Sequence, residues 1–150
     1  MMHVHFLWEG KRRGLNKGLR LAVREAKRQG FSAALILPSD LPVVTADEIT
    51  GLLQLTENYS IALTPSKEGS GTNALLMRPP GAISPAFGKS SFRRHLAIAK
   101  RAGISPRVVK SKGIAWDVDN PEDLAALRSL PLRNQTGRFL RTMEFACPRA

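Results

Sequence analysis

The run Ala33-Ala34-Leu35-Ile36-Leu37-Pro38-Ser39-Asp40-Leu41-Pro42 decides how this chain is read. Ala33 to Leu37 is short and uninterruptedly apolar, as expected of a strand buried on both faces. It stops at an acidic residue set between two prolines. Such a residue at the end of a buried strand is costly unless something cationic meets it. In an open α/β sheet the carboxyl ends of strands are also where ligands bind. The prolines restrict the backbone and fix where the Asp40 carboxylate points, which suits a metal ligand. Taken alone, Asp40 reads equally well as a strand breaker that caps a turn before Pro42.

Working outward, Leu15, Leu19, Ala22, Val23 and Ala26 share one helical face, and Gly30 is its stop. Thr45-Ala46-Asp47-Glu48 is a capping box that opens a helix carrying Ile49, Leu52 and Leu53. Ser60 to Thr64 and Ala74 to Arg78 read as strands, followed by a Pro79-Pro80-Gly81 turn. Ser90 or Ser91 caps a helix with Phe92, Leu96 and Ala99 inward, ended by Gly103. Arg107 to Lys110 reads as a strand, and so does His3 to Leu7. Asn120 caps a last helix with Pro121 in its first position. Strands alternating with helices predict an α/β sandwich with a mostly parallel sheet. Beyond Leu130 the periodicity is lost. Residues 1–130 therefore form the domain, and 131–150 are expected to be an irregular, loosely attached tail.

At 150 residues and 43% hydrophobic content the chain is long enough for one domain with a real core. Its 23 Lys and Arg against 12 Asp and Glu give a net charge of +11, which favours an anionic partner: a nucleotide, a phosphorylated metabolite or nucleic acid. The basic residues are dispersed, from Lys11, Arg12 and Arg13 along the first helix and again in the tail. No zinc spacing, RNA-binding aromatic motif or basic zipper accompanies them, so a nucleic-acid partner is disfavoured. The single cysteine, Cys147, allows no internal disulfide and points to a reducing compartment. No apolar run approaches the roughly 20 residues that span a bilayer. Met1 to Trp8 is too short and polar for a secretory signal, so the expected location is the cytoplasm with no membrane partner.

A second acidic site is Asp117 with Asp119, in Trp116-Asp117-Val118-Asp119-Asn120-Pro121-Glu122-Asp123. On a strand the two alternate carboxylates would share one face. A solvated turn explains them as well. With Asp40 they could hold Mg²⁺ and bring it to a phosphate. Glu122 and Asp123 lie in the first turn of the last helix, where its dipole favours them structurally. Ser66-Lys67-Glu68-Gly69-Ser70-Gly71-Thr72-Asn73 is a small polar loop in which Gly71 permits close backbone approach, and it reads equally as a hairpin turn. Phe87-Gly88-Lys89-Ser90-Ser91-Phe92 enters a helix and suits an anion, though it lacks the spacing of a P-loop; an ordinary N-cap would look the same. His95, one turn after Ser91, reads as structural more readily than catalytic. His3 and His5 have no third ligand in sight. Ser39, Ser90 and Ser91 lack a nucleophile elbow, which excludes a serine hydrolase.

Together, Gly14-Leu15-Asn16, Leu37 to Pro42, Gly71-Thr72-Asn73-Ala74-Leu75, Phe87-Gly88 through Ser91 with His95, and Asp117 to Leu124 occur in an order that resembles the 2-phospho-L-lactate guanylyltransferase family, which includes the phosphoenolpyruvate guanylyltransferases. The likeness covers about residues 4 to 130. It implies a MobA-like, Rossmann-like nucleotidyltransferase fold. It further implies attack of the acceptor's phosphate on the α-phosphorus of GTP with release of pyrophosphate, on the way to the deazaflavin coenzyme F-420. By the resemblance, Asp40 and Asp117 hold Mg²⁺ with Asp119 close by. Thr72, Gly88 and Ser91 bind the phosphate and carboxylate of the acceptor, either 2-phospho-L-lactate or phosphoenolpyruvate. The amides of Gly71 and Lys89 add donors, and Asn16 lies near the nucleotide.

The chain departs from that family at its start. Members open with a strand and a basic nucleotide-binding loop, and nothing between Met1 and Gly14 resembles one. Ser70 stands where the family often has glycine. The expectation is a domain lacking its N-terminal nucleotide-binding segment and a poor guanylyltransferase on its own. The alternatives are a non-catalytic binding module of the same fold and, behind it, a basic nucleic-acid-binding protein. Open sheet edges would favour pairing of two copies.

Overall fold

The computed structural model describes residues 6–10 and 14–142. Helix α1 (Leu15–Arg28) precedes strand β1 (Ala34–Ile36), and α2 (Ala46–Leu55) leads into β2 (Ile61–Pro65) and β3 (Thr72–Met77). Then come α3 (Ser91–Arg101), β4 (Arg107–Val108), the single turn α4 (Lys112–Ala115), α5 (Pro121–Arg128) and α6 (Gln135–Thr142). The four strands form one sheet in the order β1-β3-β2-β4.

The sheet is mixed, which corrects the expectation of a mostly parallel one. β3 runs antiparallel to both β1 and β2, whereas β2 and β4 are parallel. The reason lies in the connection between β2 and β3. Only Ser66 to Gly71 separate them, and a parallel crossover needs about a dozen residues or more. The loop is therefore a hairpin, and it reverses the chain. β1, β2 and β4 still point the same way, so their carboxyl ends and the amino end of β3 meet at one edge.

Period-two alternation sends side chains to both faces. Ile61, Leu63, Leu75 and Met77 pack with Val23 of α1 and Ala99 of α3 on one side. Ala62, Ala74 and Leu76 pack with Leu52 of α2 and Ile114 of α4 on the other. Helices thus cover both faces of the sheet, as expected of an α/β sandwich. The Thr45 capping box is fully formed, and the Asn120 side chain accepts from the Asp123 amide at the head of α5. At α3 the N-cap is Ser90, yet its hydroxyl makes no capping bond, because the residue sits in the left-handed region at φ 54°.

Two further expectations change. Asp117 and Asp119 lie on an irregular segment between α4 and α5, not on a strand. Residues 135–142 are helical, and the stretch before them is tied down by the Asn134 side-chain amide donating to the Pro42 carbonyl at 2.8 Å. The buried positions of α6 are Gly137 and Leu140, while Phe139 is 61% exposed. A glycine on the buried face and a phenylalanine on the outer one hide this helix from periodicity. Of the strand expected at His3 to Leu7, residues 3–5 lie outside the described residues, and Phe6 and Leu7 carry no strand. Lys11, Arg12, Arg13 and Cys147 also lie outside the described residues.

Candidate active site

The edge where β1, β2 and β4 end carries most of the residues singled out from the sequence. Asp40 follows β1 by a short exposed turn, and its carbonyl accepts from the Val118 amide at 3.2 Å. That bond lays the Asp40 turn beside the Asp117–Asp119 segment. The latter is held from the other side. The Ala115 carbonyl accepts from the Lys67 amide at 2.8 Å and from the Asn73 side-chain amide at 3.1 Å. The hairpin loop is thereby tied to the acidic segment.

Asp117 is half-buried, and burial pushes its proton affinity above the usual carboxylate value. Hydrogen bonds from its own backbone and from Asn73 oppose this, while the negative charges of Asp119 and Glu68 add to it. A carboxylate destabilised by burial and by like charges gains when a cation arrives. Among the described residues, no three acidic, His or Cys side chains are gathered closely enough to hold a metal by themselves. The donor set of Asp40 and Asp117 suits Mg²⁺ nonetheless, because that ion commonly takes one or two carboxylates and fills its remaining positions with phosphate and water oxygens.

The acceptor candidates converge on the neighbouring stretch of the same edge. Thr72, at the start of β3, is buried, and its hydroxyl meets His95 Nδ1 at 2.9 Å. Ser91, the first residue of α3, is also buried. The loop containing Gly88 and Lys89 is exposed and leads into it. Hairpin and helix are joined where the Phe92 amide donates to the Ser70 carbonyl at 3.2 Å. Gly88 has φ +106°, and the four-residue turn it opens closes with the Ser91 amide donating to its carbonyl at 3.0 Å. Only glycine accepts that backbone without strain.

Two candidates are engaged elsewhere. The Gly71 amide already donates to Ser66 Oγ at 3.0 Å, so this expected donor is committed within its own loop. The side-chain amide of Asn16 is bonded at both ends to one residue: Nδ2 donates to the Phe87 carbonyl at 2.9 Å, and Oδ1 accepts from the Phe87 amide at 2.7 Å. Arg94 donates to the same carbonyl at 2.9 Å. Asn16 thus pins the Phe87–Gly88 turn to the head of α1.

Three residues organise the site through long-range contacts that the sequence reading did not foresee. Glu48 does more than close the capping box. Its carboxylate also accepts from Ser111 Oγ at 2.6 Å and from the Gly113 amide at 2.7 Å. Burial raises its proton affinity, but these bonds and those from Thr45 outweigh it and hold the carboxyl below its ordinary value. Lys67 pairs with Asp123 at 2.6 Å and lies 5.9 Å from the centre of the Trp116 ring. Asn73 bridges to Ala115. Each joins residues distant in sequence, and composition carries no signal for that.

Residues 3–148 match the family described as guanylyl transferase CofC like. A phosphoenolpyruvate guanylyltransferase of Sphaerobacter thermophilus is 48% identical over 76% of this chain and 55% of its own length. A 2-phospho-L-lactate guanylyltransferase of Methanobrevibacter smithii is 29% identical over 95% of this chain and 62% of its own. A 3-phospho-D-glycerate guanylyltransferase of Phenylobacterium zucineum is 29% identical over 85% of this chain and 59% of its own. The chain spans about half the length of the curated relatives it matches. Among solved structures, a putative nucleotide-diphospho-sugar transferase of Desulfovibrio desulfuricans superposes with TM-score 0.72 over 87% of this chain and 60% of its own, at 20% identity, a likeness of fold alone.

Proposed function

The chain belongs to the CofC-like guanylyl transferase family, and on that premise we propose that its sheet edge binds a phosphorylated three-carbon acid beside a Mg²⁺–GTP complex for guanylyl transfer. The acceptor would be phosphoenolpyruvate or 2-phospho-L-lactate, and the product a guanylylated intermediate of coenzyme F-420 biosynthesis. An oxygen of the acceptor phosphate bonds to the α-phosphorus of GTP. The bond from that phosphorus to the bridging oxygen breaks, and pyrophosphate leaves with the electron pair. The acceptor is already ionised, so no general base is required.

The observation that supports this reading most is a set of three hydrogen bonds that fasten neighbouring segments along the edge: the Val118 amide to the Asp40 carbonyl, the Asn73 side-chain amide to the Ala115 carbonyl, and the Thr72 hydroxyl with His95. These bonds support a reading in which the loops carrying the acidic pair and the acceptor candidates are tied to one another, as a positioning mechanism requires. Asp40 and Asp117, with Asp119 nearby, would hold Mg²⁺, which neutralises phosphate charge when bound. Thr72 and Ser91 offer hydroxyls, and the turn at Gly88 and Lys89 offers backbone amides to the acceptor's phosphate and carboxylate. The net charge of +11 favours the approach of such anions.

Titration calorimetry with phosphoenolpyruvate or 2-phospho-L-lactate in the presence of Mg²⁺ tests the reading. A charge-assisted hydrogen bond is worth roughly 1.5–3 kcal/mol, so Ser91→Ala is expected to bind about tenfold more weakly, or worse. Equal affinity for the variant and the unsubstituted protein would remove Ser91 from the site.

A further inference from the structure

We infer that His95 is a positioning residue: held as the Nδ1–H tautomer by the Ala86 amide, it donates to Thr72 Oγ1 and so leaves the Thr72 hydroxyl proton for the acceptor anion. This rests on the proposed acceptor site and deepens it.

His95 is fully buried in α3 and touches three parts of the site. Its Nε2 lies 2.9 Å from the backbone nitrogen of Ala86, and its Nδ1 lies 2.9 Å from Thr72 Oγ1. The Phe87 ring packs edge-on against it, with centroids 5.0 Å apart at 70°. A backbone N–H can only donate, so Nε2 must be the bare, accepting nitrogen. A neutral imidazole carries one proton, which then sits on Nδ1 and is donated to Thr72. A hydroxyl that accepts at this position has its own proton left to give. A phosphate or carboxylate oxygen can only accept it.

The reverse arrangement fails at each end. With the proton on Nε2, it would face the Ala86 N–H, two donors with no acceptor between them. Thr72 would then have to donate to Nδ1 and would turn its lone pairs toward the arriving anion. The imidazolium meets the same conflict at Ala86. Burial, with the positive charge of Arg94 on the same helix, keeps the ring neutral, lowering its pKa to about 4. His95 is thus separated from the reacting atoms by one side chain. It also fixes the distance between β3 and the turn that carries Gly88.

The experiment combines the nitrogen-15 spectrum of the ring in the unsubstituted protein with phosphoenolpyruvate affinity in a double-mutant cycle of His95→Phe and Thr72→Val. The expected spectrum at neutral pH has a protonated Nδ1 and an unprotonated Nε2. Each single variant is expected to lose about tenfold in affinity, and the double variant little beyond Thr72→Val alone. Additive losses, or an Nε2–H or doubly protonated ring in a protein that binds phosphoenolpyruvate, would overturn the inference alone. No binding of phosphoenolpyruvate or 2-phospho-L-lactate by the unsubstituted protein would instead overturn the functional reading and the substrate-directed half of this inference with it. The spectrum needs no substitution, so it decides the tautomer even if His95→Phe does not fold.

Discussion

Asp117 carries a charge that the fold alone does not reward. Burial and the neighbouring Asp119 and Glu68 all disfavour its ionised form. A cation reverses that balance, so stability and binding should respond in opposite directions at this position. Asp117→Asn is expected to raise the melting temperature while weakening Mg²⁺ binding tenfold or more, read by thermal denaturation and metal titration. Asp40→Asn should weaken Mg²⁺ binding likewise, and unchanged binding would remove Asp40 as a ligand. His95 adds a pH dependence of known sign. Its pKa is about 4 in the fold against 6.5 for the free side chain, so the unfolded chain takes up the proton first as pH falls. The stability held above about pH 6.5 should therefore decline toward pH 4, by up to about 3 kcal/mol at 1.36 kcal/mol per unit. Denaturant midpoints across this range check it, and His95→Phe should flatten the slope.

At the scale of elements, the fold is held by a few side chains that fasten loops to helices. Glu48 belongs to α2 yet shapes the start of α4 through Ser111 and Gly113, and α4 leads directly to Asp117. Glu48→Gln keeps the shape but removes the charge that these donors meet. A cost of about 1–3 kcal/mol is expected in chemical denaturation. The capping box itself was legible, because Thr45 and Glu48 are three residues apart and local geometry decides it. The reach to Ser111 was not, since nothing local marks a partner more than sixty residues away. The same holds for Lys67 and Asp123. The direction of β3 was open to derivation, because the Ser66–Gly71 connection is too short for a crossover; alternation of strands and helices elsewhere in the chain suggested the opposite. Helix α6 stayed hidden because its buried face rests on Gly137, whose added Cβ would run into the Leu132 backbone. Gly137→Ala should therefore release this helix and raise hydrogen exchange across 135–142.

At the scale of the whole molecule, three strand ends and one hairpin gather the candidate residues from positions 40 to 119 onto a single edge. The sequence made this edge legible in outline, because Asp40, the Gly71-Thr72-Asn73 loop, the Gly88 turn and Asp117 each sit next to a recognisable element boundary. It left open which groups are spent internally. The Gly71 amide is taken by the Ser66 hydroxyl within its own loop, and Asn16 satisfies the Phe87 backbone, which only the tertiary fold brings near. The central claim is that one edge holds both the divalent cation and the acceptor anion. It is tested most directly by backbone amide spectra recorded with Mn²⁺ in place of Mg²⁺ and phosphoenolpyruvate present. Line broadening centred on Asp40 and Asp117–Asp119 and fading through Thr72, Gly88 and Ser91 is the predicted result; broadening centred on another face of the sheet, or none at all, would contradict it.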